Sequence, residues 1–172
     1  CIRDSFKDAG LEYTGALKVL QMIFSYEYLW IQIRVKGGAY GCMCSFSDQG
    51  DSMFVTYRDP NLSESYKVYD EAADYVADFD ADDRDMKKYI IGTIGSMDMP
   101  MEAVDMGARS FHAYFLGKTE ADLQKVRDQV LSCTQEDIRA LAPIVKAVVE
   151  AGNRCCIGNE EKIDQNKEYF DE

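Results

Sequence analysis

Leu29-Trp30-Ile31-Gln32-Ile33-Arg34-Val35-Lys36-Gly37-Gly38-Ala39-Tyr40-Gly41 is where one pattern gives way to another. Upstream, Leu17, Leu20 and Phe24 recur at i, i+3 and i+7, flanked by Ala16, Val19 and Ile23. That spacing predicts a largely buried helix from Thr14 or Gly15, with residues 26–33 extending it or forming a second short helix. Gly37-Gly38 stops it, because glycine accepts the positive φ at which helices end. Downstream, residues 40–46 alternate loosely, Asp48-Gln49-Gly50-Asp51 is a polar turn, and residues 52–57 form a second extended run. These two runs read as a β-hairpin.

Working outward, Phe6 reads as the end of a strand. Arg58-Asp59-Pro60-Asn61 breaks the sheet, since the residue before proline is pushed out of helical space. Leu62, Tyr66, Tyr69, Ala73 and Val76 step by four and three, giving an amphipathic helix. Asp82 or Asp83 starts the next, with Met86, Tyr89, Ile90 and Ile94 on its apolar side. The Asp80, Asp82, Asp83 and Asp85 cluster lacks the central glycine and closing glutamate of a calcium loop, so it reads as an acidic helix start. Residues 101–116 look helical and end at Gly117. Thr119…Asp122 and Thr134…Asp137 have capping-box spacing, ahead of Leu123, Val126 and Val130 and of Ile138, Leu141, Val145 and Val148. Pro143 is expected to kink the last long helix, which ends at Gly152; residues 154–157 read as a late strand and 160–172 as a polar tail. The order helix, hairpin, helices, late strand predicts an α+β fold, a mainly antiparallel sheet with helices packed on one face.

At 172 residues the chain is read as a single domain, 1–172, large enough for a substantial core. It is 47% hydrophobic with three prolines, which argues against disorder. Net charge −12 argues against a nucleic-acid partner and is compatible with basic ligands, although acidity serves solubility just as well. No apolar run reaches the ~20 residues a membrane crossing requires, and no signal peptide opens the chain, so no membrane partner and a cytoplasmic setting are expected. The start at Cys1 rather than methionine is read as the mark of a fragment. The six cysteines lack Cys-x-x-Cys spacing and read as reduced, mostly buried thiols.

Catalytic signals are sparse. A self-contained zinc peptidase motif needs two histidines, and His112 is the only one. It lies mid-helix between Phe111 and Tyr114, where a packing or surface role fits better than a nucleophilic triad. Gly37-Gly38-Ala39-Tyr40-Gly41 has no following Lys-Ser/Thr, so it is no phosphate loop. No catalytic, metal or cofactor residue is therefore expected in this chain. Arg34 and Tyr40 remain, six residues apart across the glycines. Either they bond the backbone of an extended peptide lying beside the hairpin edge, or they are a surface arginine and a core tyrosine around a tight turn.

Several blocks carry a family resemblance: Tyr13-Thr14-Gly15-Ala16-Leu17, the stretch from Tyr28 to Gly41, Tyr57-Arg58-Asp59-Pro60-Asn61-Leu62, Ile91-Gly92-Thr93-Ile94-Gly95 and Thr134-Gln135-Glu136-Asp137-Ile138-Arg139. In order, they resemble the C-terminal domain of presequence peptidases, of the pitrilysin/insulinase class of zinc metallopeptidases. The resemblance implies a LuxS/processing-peptidase-like α+β domain, one of four homologous domains around a chamber that digests unfolded peptides. The zinc would lie in the parent's N-terminal domain. The last domain lends an arginine and a tyrosine to the substrate backbone and scissile carbonyl, and these map onto Arg34 and Tyr40, with Lys36, Gly37 and Gly38 in support. Its partners would be peptide and the parent's other domains, in cytoplasm or in a mitochondrial or plastid matrix. The family's N-terminal strands are mostly missing here, which predicts an exposed edge that pairs with another copy, or a mobile N-terminus. An inert scaffold domain of the same fold and a small peptide-binding module are the alternatives.

Overall fold

The structure is a computed structural model that describes residues 2–170. Three antiparallel strands form one sheet in the order β1-β3-β2: β1 Ile2–Ser5, β2 Gly41–Phe46 and β3 Asp51–Tyr57. The hairpin is as the sequence predicts, with Gly41 opposite Tyr57 and Phe46 opposite Ser52. β1 supplies an N-terminal strand on the far side of β3, ending just before the fully buried Phe6. Alternation sorts the sheet into two faces. Cys44, Phe46, Ser52 and Phe54 are buried beneath the helices, whereas Met43, Met53 and Tyr57 point to an open face.

The covered face is built around α1 (Ala16–Ile23), which packs on β2 through Leu17, Leu20 and Ile23. Phe24 continues this core with an edge-on contact to Phe54 and a tilted one to Phe46. Behind it come α2 (Leu62–Asp70), α3 (Ala72–Ala77), α4 (Asp83–Met97), α5 (Ala103–Phe115), α6 (Glu120–Leu131), α7 (Gln135–Arg139), α8 (Ala142–Glu150) and α9 (Glu160–Asp164). Their starts follow the capping chemistry: Asp82 accepts from the backbone N–H groups of Arg84 and Asp85, and Thr119 and Thr134 form reciprocal capping boxes with Asp122 and Asp137. The acidic cluster is thus a helix start. Among the described residues no helix is long and apolar enough to cross a membrane.

Several expectations change. The helix from Leu62 is interrupted at Glu71. Pro143 does not kink a long helix; it sits in the first turn of the separate α8, where a missing N–H costs nothing. Residues 154–157 make only an isolated bridge at Arg154, and Ile157 is 97% exposed. Leu123 faces solvent, while Val126 is half-buried and Val130 buried. The polar tail is docked: Tyr169 stacks on Tyr66 at 5.2 Å between ring centroids, and Arg154 lies over both rings and pairs with Asp70. Cys44 and Cys133 are buried, but Cys155 is exposed and Cys42 and Cys156 only half-buried.

Candidate functional site

The end of α1 does not stop at Ile23. The helix continues through two wider-wound π-helical stretches, Phe24–Tyr28 and Trp30–Lys36, in which each N–H reaches back five residues. The Gly37 N–H donates to the Gln32 carbonyl at 3.1 Å and the Ala39 N–H to Ile33 at 3.1 Å, while Gly38 takes φ +77°. Two glycines are needed for different reasons. A Cβ on Gly37 would fall 2.5 Å from the Ile33 carbonyl oxygen, whereas Gly38 supplies the left-handed conformation. The Asn61 side chain clamps the turn by donating to the Gly37 carbonyl at 2.6 Å. Residue 39 then drops into the core as a buried alanine, and β2 begins.

This turn fixes the two residues singled out by sequence. Arg34 is exposed, with its guanidinium 4.1 Å from the centroid of the Trp30 ring one turn earlier. Among the described residues it has no carboxylate partner. Its charge acts on the Cys42 thiol: burial pushes that thiol up and Arg34 offsets part of the rise. Arg34 therefore stands beside the start of β2. Tyr40 is 64% exposed, so it is not the core tyrosine of the alternative reading. Its backbone N–H donates to the Tyr57 carbonyl at 3.2 Å, and its ring meets Tyr57 edge-on at 5.9 Å. Neither a hydrogen bond nor a cation–π contact joins Arg34 to Tyr40; each is seated on its own aromatic neighbour.

Lys36 is not brought to this place, since its Nζ turns back to Gln32 Oε1 at 3.1 Å. A residue the sequence reading passed over is Arg58. It has φ 48°, unusual for a non-glycine residue, and its guanidinium lies over Tyr40 at 5.7 Å and over Tyr57 at 5.3 Å. The hairpin register, which puts Tyr57 opposite Gly41, is the signal that finds it. Among the described residues β2 is an edge strand, paired on one side only. An edge strand presents unpaired N–H and C=O groups to an incoming chain. Two cation–aromatic pairs therefore flank the first residues of this edge, Trp30 with Arg34 and Tyr40 with Arg58.

Behind Trp30 opens a groove of about 600 Å³, lined by Lys18, Gln21, Met22, Trp30, Cys42 and Met97 among others. Burial lowers the Lys18 pKa, with Asp48 opposing and Lys118 and Arg109 adding to the effect. The donors present do not suit a zinc ion. His112 is an exposed residue of α5, and among the described residues no three His, Cys, Asp or Glu side chains converge. What the arrangement offers chemically is side-chain donors placed beside the free edge of β2.

The sequence matches the family model described as the PreP C-terminal domain over residues 4–159. The chain is 41% identical over 166 residues to Protein HypA of Clostridium perfringens, covering 96% of this chain and 17% of that protein. It is 33% identical over 156 residues to Presequence protease 1, chloroplastic/mitochondrial, of Arabidopsis thaliana, covering 90% and 14%. With the mitochondrial presequence protease of Aspergillus fumigatus the identity is 34% over 148 residues, covering 84% and 13%. The chain thus spans less than a fifth of the length of these relatives. It belongs to the presequence protease C-terminal domain family.

Proposed function

From that membership and the geometry of the β2 edge, we propose that the chain is the metal-free substrate-holding domain of a larger zinc metalloendopeptidase that degrades unfolded peptides. In this reading an extended peptide lies along β2, its main chain satisfied by the unpaired edge, in the sequence-tolerant manner of strand addition. Arg34 bonds a peptide carbonyl or the peptide C-terminus. The Tyr40 hydroxyl donates to the scissile carbonyl and helps hold the charge that develops there. Arg58 backs Tyr40 as a positioning residue. Zinc and the general base belong to another part of the parent polypeptide, since the donors here do not suit that metal. When bound there, the metal would polarise the same carbonyl and activate water.

The observation that carries the reading is Arg34, held exposed on Trp30 and, among the described residues, without a carboxylate partner, beside a strand edge that no described strand pairs. In a chain of net charge −12, a cation left unpaired next to free backbone groups is placed for a ligand more readily than for stability. The names of the plant and fungal relatives fit the organellar alternative to a cytoplasmic setting.

The test is steady-state peptidase kinetics on the full-length polypeptide carrying this chain, comparing wild type with Arg34→Ala and Tyr40→Phe. Loss of a donor to the reacting carbonyl lowers kcat by roughly 10²–10³-fold, about 2.7–4 kcal/mol. Unchanged kinetics with an intact fold would make the domain chamber wall only.

A further inference from the structure

Helix α5 is built the wrong way round for this domain. A surface helix ordinarily turns its apolar stripe to the core. At about 100° per residue, Val104, Phe111 and Phe115 fall within one narrow sector, bordered by Tyr114. All four are 65–80% exposed, and α5 has no buried residue. The half-buried Ala113 lies on the opposite side, and the charge of Arg109 reaches Lys18 in the body of the domain. The apolar stripe therefore faces directly away from the domain's own core.

Two ion pairs bracket the helix in sequence. Arg127, on α6, makes a bidentate ion pair with Asp98 at 2.6 and 2.7 Å, fixing the turn that leads in. Lys118, just after α5, pairs with Asp48 in the hairpin turn. At 13 residues a helix is marginal by itself, so one with so little buried needs cover from elsewhere. The three exposed rings alone offer roughly 400 Å² of apolar surface, the size of patch that marks an interaction site.

We propose that the α5 stripe is an interdomain contact, covered by an apolar face of another domain of the longer polypeptide. The inference rests on the proposed function only in placing this chain within a larger peptidase, and two further observations select the occupant. The relatives named above extend over about six to eight times the matched segment, so there is ample chain to supply the cover. The charge pattern disfavours the other occupants. The polar side of α5 carries Asp105, Arg109 and His112, not the lysine- and arginine-rich face that binds membranes, and two copies at −12 each repel.

The experiment measures hydrogen exchange over residues 103–115 in the full-length polypeptide carrying this chain and in the 172-residue chain, alongside Tm for Phe111→Ser/Phe115→Ser in both. Exchange at least tenfold slower in the full-length protein is expected, with the double variant leaving the short chain's Tm within about 1 °C and lowering that of the long one. Equal exchange rates in the two proteins would overturn the proposal. Slowing that grows with concentration of the short chain would assign the stripe to a second copy instead. Slowing that needs added unstructured peptide would assign it to substrate. None of these readouts depends on catalysis, so they stand or fall separately from the Arg34 and Tyr40 kinetics.

Discussion

The guanidinium of Arg34 rests 4.1 Å from the centroid of the Trp30 ring, four residues earlier on the same helix. A cation over a half-exposed indole gains only about 0.5–1 kcal/mol. That is little for stability, but it narrows the orientations open to an otherwise unpaired side chain. The pair therefore holds an exposed charge near the start of β2.

Trp30→Leu should lower kcat/KM of the full-length enzyme by about 2–5-fold, the kinetic equivalent of one exposed cation–π contact, and Trp30→Phe should restore most of it. The partial rescue separates an aromatic seat from mere bulk. Kinetics with a series of unstructured peptides would show it, and identical values for Leu and Phe would remove the role given to the ring.

The two adjacent glycines should respond differently to alanine. Gly37→Ala brings a Cβ to 2.5 Å from the Ile33 carbonyl and must shift the turn that presents Tyr40, costing about 1–3 kcal/mol. Gly38→Ala meets nothing closer than Pro60 Cγ at 3.8 Å, so only its φ of +77° matters, about 1 kcal/mol. Urea midpoints compare the two, and peptide kinetics should fall further for Gly37→Ala.

Gly15 marks a close approach. Its N–H donates to Gln129 Oε1 at 2.8 Å, and a Cβ there would collide with the Val126 carbonyl and with Gln129 Cβ. Gly15→Ala should destabilise by about 1–3 kcal/mol by forcing α6 away from the start of α1. Gln129→Ala, which removes a hydrogen bond without a clash, should cost about 1 kcal/mol. Thermal unfolding of both variants checks the order.

The Lys118–Asp48 pair gives the fold an acid-sensitive tie. Burial alone would raise the Asp48 pKa, but hydrogen bonds from Lys118 and Gln49 and the charges of Lys118 and Lys18 carry it below the ordinary 3.8. A carboxyl depressed in the folded state stabilises above its unfolded value, and that stability is lost as pH falls through the folded one. Asp48→Asn should therefore lower Tm at neutral pH, with the gap to wild type closing below pH 3.8. A gap that stays constant down to about pH 2 would show that the pair contributes nothing through charge.

Much of this was legible without coordinates because it is local. The apolar spacing of Leu17, Leu20 and Phe24, the caps at Asp82, Thr119 and Thr134, and the paired runs around Gly50 each depend on residues a few positions apart. The Arg-x5-Tyr pair was legible too, though only as a spacing. What that spacing could not show is that Arg34 and Tyr40 do not touch and that Arg58 backs the tyrosine, since these follow from hairpin register and from widened winding that no residue preference encodes.

By itself, then, the sequence determined the caps that start several helices, the hairpin and the apolar spacing of the first helix. Tertiary structure decided which apolar sides are covered. Residues 154–157 read as a strand but make only a single bridge, and Leu123 reads as an inward helix residue but faces solvent. The physical reason is that periodicity records a preference for burial, whereas burial itself requires a second surface, and for the apolar stripe of α5 no described part of this chain supplies one.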